Sequence, residues 1–368
     1  MKKQCSEWID KKIDEIMGRE KYTAEKTNES IAEKYGYKPS DIIKLNYNEN
    51  VYLPRNVLTR LLKQVAQETD TRIYPQEEEN KLREKLSKYV ETLKDNIVIG
   101  NGSDELINRT IRFFMQRGER AISIAPTFPI FRMCVKHQGG EYLGIPLQND
   151  FRLNLEAMLK SFDCNTRILY LVSPNNPTAN QFSQNDIETL IENFPGIVLV
   201  DEAYVEFGKY SVIPLISKYE NLIVLRTFSK AFGLANLRLG YAVTNQLLAQ
   251  TLGKLPDPYP VSAISMSMGI KMLENLNIVK ASVRKLMKER EKLTQNLDQI
   301  NGIHTFKSDA NFVLFTTEKS SDEVYEKLLR RAIIIKNVGK ILGWNNCLRT
   351  TVGLPEMNTK MLTIIKEV

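Results

Sequence analysis

The sequence predicts an α/β protein in two parts, a large unit on a mostly parallel sheet with helices on both faces and a smaller α/β unit after it. Three observations predict this. From Asn96 onward, short β-rich apolar runs (IVIG, AISIA, RILYLV, GIVLV, NLIVL, LGYAV) alternate with stretches of helical periodicity. That rhythm builds parallel sheets covered by helices. Two of the runs end in chemistry: GIVLV runs into Asp201, and NLIVL leads through a short polar turn to Lys230. The carboxyl ends of parallel strands are where open sheets bind ligands. Finally, the proline-rich run KLPDPYPVSAIS reads as a hinge, and strand and helix patterns alternate again from about Gly302.

Composition narrows the class. A chain of 368 residues, 42% of them hydrophobic, fills real cores. Apolar runs stay well short of the ~20 residues that cross a bilayer, and the charged, amphipathic start MKKQCSEWIDKKIDEIM carries no leader-like core. A soluble, cytoplasmic protein with no membrane partner is expected. Four scattered cysteines and two histidines argue against a disulfide framework and against a zinc site, so no metal is expected. The net charge of +7 comes from lysines interleaved with glutamates, as in KLREKLSKYVETLKD. Such a pattern is a solvated helix face, and no nucleic-acid partner is expected.

Taken in order, residues 1 to about 40 form a charged helical arm broken at Gly36 and Pro39, a packing arm or a dimer contact. In IIKLNYNENVYLP, Asn48, Glu49 and Asn50 make a polar turn. A helix over Pro54 to Thr69 leads to RIYP, where Tyr74 before Pro75 reads as extended. Gly100 to Asp104 joins a strand to a helix. It is either an ordinary glycine turn with Ser103 as the cap or an anion cradle at a helix N-terminus. Beside Lys230 and Asp201 the cradle is preferred. Phe128 opens the helix after the next strand, where an aromatic is usually core. Asp201 is followed three residues on by the Tyr204 phenol. Lys230, in a turn of small and hydroxyl residues, is placed to be desolvated and to form an imine with a carbonyl compound. Ser262 to about Ile300 is one long helical stretch whose methionines pack. Arg349 sits in a strand, where a lone arginine is commonly a salt-bridge partner.

KLNYNEN, RIYP, GNGSDELI, PTFPIF, SPNNPT, VDEAYVEF, RTFSKAFGLANLRLGY, ANFVLF and CLRTTVG follow one another in the order of a known family. The chain resembles the pyridoxal-phosphate-dependent aminotransferases of the aspartate-aminotransferase fold, and among them the histidinol-phosphate branch. The resemblance implies a large domain (46–260) with a mostly parallel seven-stranded sheet flanked by helices. It also implies an N-terminal arm (1–45) and an interdomain helix with a small C-terminal α/β domain (261–368).

It further implies pyridoxal 5′-phosphate as cofactor, small amino and keto acids as substrates, and L-histidinol phosphate with 2-oxoglutarate as the pair. Lys230 would be catalytic and would carry the cofactor. Asp201 would pair with the ring nitrogen, Asn176 and Tyr204 with the phenolic oxygen, and Phe128 would stack on the ring. Gly102, Ser103, Asp104, Thr227, Ser229 and Arg238 would hold the phosphate with Tyr74 of a neighbouring subunit, making a homodimer with shared sites. Tyr22, Asn48, Glu49 and Arg349 would meet the substrate. The chain departs from the family at Val51 (usually proline), at Ala179 and Asn236 (usually glycine) and at Lys336 (usually arginine). Ala179 is expected to alter its turn slightly. Competing readings are an aminotransferase for aromatic or other phosphorylated amines, a decarboxylase of a phosphorylated amino acid, and a non-catalytic cofactor-binding regulator.

Overall fold

The structure, a computed structural model, describes residues 2–21, 26–254 and 258–367. Strand β1 (Ile43–Lys44) is a short parallel partner of a strand near the C-terminus. The large sheet follows with β2 (Ile97–Gly100), β3 (Arg120–Ala125), β4 (Glu141–Pro146), β5 (Thr166–Val172), β6 (Ile197–Asp201), β7 (Leu222–Thr227) and β8 (Gly240–Thr244). Their order is β2-β8-β7-β6-β5-β3-β4, and only β8 runs against its neighbours. The mostly parallel seven-stranded sheet expected from the resemblance is thus present.

Its strands read as unbroken apolar runs because both faces are covered. Alternate side chains enter opposite cores. Leu169, Leu171, Val198, Val200, Leu222 and Val224 go to one, and Ile168, Tyr170, Val172, Leu199, Ile223 and Leu225 to the other. Parallel pairing of β5, β6 and β7 sets Val172 beside Asp201 and Asp201 beside Leu225. The tips of these three central strands therefore share one edge, and the polar residues that follow them meet there.

A second sheet follows, of β9 (Ile303–Thr305), β10 (Phe312–Thr317), β12 (Lys336–Ile341) and β13 (Trp344–Thr351), in the order β12-β13-β10-β9 and antiparallel throughout. Between β10 and β12, β11 (Ile333–Ile334) pairs with β1. The arm comprises two helices, Lys2–Met17 and Asn28–Tyr35. Thr27 caps the second, accepting from Ser30 N, and Gly36 closes it at φ 74°. The stretch read as one long helix is two, Ala263–Glu274 and Leu276–Asp298. They part at Asn275, whose side-chain amide donates to Lys271 O at 2.8 Å and whose backbone leaves the helical region. Met266, Met268 and Met272 are buried between elements, as expected of packing methionines.

Candidate active site

Asp201 ends β6 with its carboxylate 3% exposed. Tyr170, on neighbouring β5, donates its hydroxyl to Oδ2 at 2.9 Å, and the Ala203 amide donates to Oδ1 at 3.0 Å. Burial raises the carboxyl to about 6 against the pull of these two donors. The groups that act on it among the described residues are these two donors and the carboxylates of Asp104 and Glu202, an environment that a protonated ring nitrogen would complete.

Lys230 lies three residues beyond β7, its amine 2.8 Å from Tyr47 O and 5.7 Å from the centre of the Tyr204 ring. Burial lowers it to about 8, and the Arg349 charge pushes the same way. An amine so shifted is neutral in a useful fraction near physiological pH, as a nucleophile toward an aldehyde needs to be.

The glycine turn after β2 opens the helix Gly102–Phe114, with Asn101 rather than Ser103 at the cap. Ser103 is thus the second helical residue, and its amide belongs to the free first turn. Gly102 takes φ 79°, and a Cβ on it would fall 2.5 Å from Arg238 Nη2. A Cβ on Gly240 would fall 2.6 Å from Ser103 N. Both glycines keep open the approach to that amide end. Arg238 Nη2 pairs with Asp104 at 3.0 Å, its Nη1 donates to Ser229 Oγ at 3.4 Å, and Thr227 Oγ1 accepts the Ser229 amide at 3.0 Å. Free helix amides, a guanidinium and two hydroxyls form a donor set suited to a phosphate.

Facing Lys230 is a third group. The carbonyls of Asn46, Tyr47 and Asn48 accept from Arg349, Lys230 and Asn311 respectively. Arg349 also donates to Asn176 Oδ1, and its guanidinium lies 5.2 Å from the Phe312 ring centre. Asn48 donates from Nδ2 to the Tyr204 hydroxyl at 3.1 Å, and Glu49 pairs with Lys44 at 3.0 Å.

Among the remaining expected residues, Phe128 is partly buried against the second core just before the helix Ile130–Gln138. Tyr74 is 69% exposed and stacks on Tyr259 at 4.6 Å. Tyr22 lies outside the described residues. Ala179 adopts φ 65°, the left-handed region that glycine enters freely, so the alanine keeps a glycine-like turn. Lys336 on β12 is the register partner of Arg349.

Sequence reading misses Tyr170, Thr351 and a buried ion cluster. In that cluster Arg226 Nε meets Glu202 at 2.7 Å, Arg226 Nη1 meets Glu206 at 3.3 Å and Arg226 Nη2 donates to Ser211 at 2.9 Å. The signal for Tyr170 is a lone hydroxyl inside RILYLV; for Thr351 it is the i+2 spacing from Arg349 along one strand. Among the described residues no group of three or more His, Cys, Asp or Glu could hold a metal, and no helix is long and apolar enough to cross a membrane.

Comparison with known proteins agrees with this geometry. The family described as Aminotransferase class I and II matches residues 40–365. A histidinol-phosphate aminotransferase of Caldanaerobacter subterraneus subsp. tengcongensis is 35% identical over 327 residues, 88% of this chain and 92% of that protein. The histidinol-phosphate aminotransferase of Sinorhizobium meliloti, solved in complex with pyridoxal-5′-phosphate, superposes with a TM-score of 0.83 at 24% identity, covering 94% of this chain and 96% of the other. Aspartate aminotransferase from Thermus thermophilus, solved with maleate, gives 0.79 at 16% identity over 96% and 98%. By these matches, with the aspartate-aminotransferase fold, the chain belongs to the class I and II aminotransferases.

Proposed function

We propose that this chain is a cytoplasmic, pyridoxal-phosphate-dependent aminotransferase that exchanges the amino group of L-histidinol phosphate with 2-oxoglutarate, giving imidazole acetol phosphate and glutamate. The observation that carries the chemistry is the Lys230 amine, lowered to about 8, on the same sheet edge as the buried Asp201 carboxylate. Relatives named for histidinol phosphate support the substrate.

Bound in the site, pyridoxal phosphate supplies an aldehyde that captures amines and a ring that accepts the electron pair left when a Cα–H bond breaks. The protein's own groups do the rest. Helix amides from Gly102 onward, Ser229 and Arg238 hold the phosphate, with Asp104 fixing the Arg238 fork. Asp201 keeps the ring nitrogen protonated, and Asn176 and Tyr204 serve the phenolic oxygen. The Lys230 Nζ takes the Cα proton and returns it, as a positioned general acid and base. Arg349 grips the α-carboxylate of glutamate as a two-pronged donor. Its burial, 7% exposed, strengthens that grip.

The test is an absorption titration of protein loaded with pyridoxal phosphate. Loss of the visible band on adding L-glutamate, and again on adding L-histidinol phosphate to freshly loaded protein, is the expected result. Conversion by glutamate alone would discard the histidinol-phosphate assignment and keep the aminotransferase, and conversion by neither would discard both.

Two copies are part of the same reading. Ile73, Tyr74 and Tyr259 are 58%, 69% and 48% exposed. An apolar surface of this kind calls for a cover. A second copy there would bring Tyr74 to its neighbour's phosphate site. Sedimentation velocity at micromolar concentration is expected to find a dimer, and a fully active monomer would remove the shared-site proposal.

A further inference from the structure

Tyr204 is 4% exposed, and its hydroxyl can act in two opposite senses. Donating toward the cofactor's phenolic oxygen, it stabilises negative charge there; accepting from that side, it does not. The protein decides between them through a chain of hydrogen bonds that starts from a group with no choice. The backbone N–H of Asn48 can only donate, and it donates to Thr351 Oγ1 at 2.9 Å. The Thr351 hydroxyl proton then goes to Asn48 Oδ1, 3.4 Å away. An Asn48 amide whose oxygen faces Thr351 must turn its NH2 the other way, and that NH2 reaches the Tyr204 oxygen at 3.1 Å. The Tyr204 oxygen is thereby an acceptor on the Asn48 side, and its own proton is left to point into the site.

The frame around this chain is rigid. Asn48 occupies the left-handed region at φ 57°, which asparagine tolerates better than most residues. Its carbonyl is held by Asn311 Nδ2 at 2.8 Å, and the Thr351 amide is held by Leu45 O at 2.8 Å. Asn48 and Thr351 are 1% and 2% exposed, so water does not compete for these groups.

We propose that Asn48 and Thr351 form a proton-orienting pair that commits Tyr204 to donate toward the phenolic oxygen of the cofactor. Both are positioning residues. The proposal rests on the pyridoxal-phosphate reading of the site. It gives Thr351 a duty that its place on β13 does not announce, and it gives Asn48 one other than touching substrate. Two donors on the phenolic oxygen weaken its hold on the proton of the nearby lysine-derived nitrogen. They therefore lower the pH at which the visible absorption of the bound cofactor changes. The charges facing Tyr204 are Lys230, Arg349 from β13, Asp201 from β6 and Asp104 from the helix after β2, and the substitutions below leave all four in place.

The experiment is a pH titration of the visible band of cofactor-loaded protein. Tyr204→Phe, which removes the donor, should raise the midpoint by about one unit or more. Thr351→Val, which keeps the shape and removes the hydroxyl, should raise it by about half a unit, because the Asn48 amide is then free to turn. Thr351→Ser restores the hydroxyl and should restore the wild-type midpoint. Asn48→Asp places an acceptor against Tyr204, draws its proton away, and should approach the Tyr204→Phe value; it carries the test should Thr351→Val fail to fold. Midpoints unchanged in Thr351→Val and Asn48→Asp while Tyr204→Phe moves would overturn the pair alone. Equal shifts in Thr351→Val and Thr351→Ser would also overturn it, by showing a packing effect. A wild-type protein with no titrating visible band would overturn the cofactor reading and this proposal with it.

Discussion

Lys230→Ala is expected to lower turnover by at least about four orders of magnitude, because in the proposed mechanism one amine would serve both as the cofactor's attachment point and as the carrier of the Cα proton. The proposed phosphate and ring contacts lie on other residues, so the variant should still bind pyridoxal phosphate, without the visible band that marks attachment to the lysine. Steady-state turnover and the spectrum of dialysed protein check both halves; a variant retaining a hundredth of wild-type activity would remove Lys230 from the mechanism.

The pH arm of this prediction follows from burial. With the amine at about 8 in cofactor-free protein, its reaction with the aldehyde should rise about tenfold per pH unit below that value and level off above it. Folding carries the same signature. The amine loses its proton at a lower pH folded than unfolded, so between about 8 and ~10.4 the unfolded chain binds more protons and stability rises with pH. Lys230→Ala should lack that rise, which thermal unfolding of cofactor-free protein across the window would reveal.

Why Lys230 and Asp201 are legible in sequence, while Thr351 is not, has a physical answer. Asp201 closes the apolar run of β6, Lys230 follows the apolar run of β7 across a short polar turn, and an apolar run covered on both faces is a central strand. A charged residue at its end therefore has a known address. The duties of Tyr170, Asn48 and Thr351 depend on partners 31, 156 and 303 residues away. Those partners are set by register and crossover, so the local signals at Tyr170 and Thr351 mark a residue without naming what it meets. The helix break at Asn275 is hidden for a different reason. Neither glycine nor proline marks it, and a side-chain amide taking a backbone carbonyl competes with the helix only once packing holds both sides. The helix starts at Gly102, so the N-cap position falls on Asn101, which makes no side-chain capping bond, and not on Ser103. The proposed cradle does not depend on that position, since it would be made of backbone amides and not of a capping side chain.

Asp201→Asn is expected to separate function from stability. In cofactor-free protein the carboxyl titrates at about 6, above its ordinary value near ~4. Below about pH 4 the acid is protonated folded and unfolded alike, and burial exacts no charge penalty. Between ~4 and about 6 the folded chain binds more protons, so stability falls as pH rises; above 6 the penalty is complete, on the order of 3 kcal/mol. Asparagine removes it. Cofactor-free Asp201→Asn should therefore unfold at higher temperature than wild type above pH 6, with the gap closing toward pH 4.

Turnover should move the other way, falling about a thousandfold or more. The amide keeps the shape between Tyr170 and Ala203 but would no longer supply the charge that the proposed mechanism uses to hold a proton on the ring nitrogen. Binding of pyridoxal phosphate should weaken too, because in the proposed site the cationic ring would offset the buried anion. Unfolding scans of both proteins without cofactor, paired with steady-state turnover, supply the two readings. A variant less stable than wild type at pH 7, or one that keeps its activity, would mean that Asp201 is held by its neighbours for packing and not for the charge opposite it.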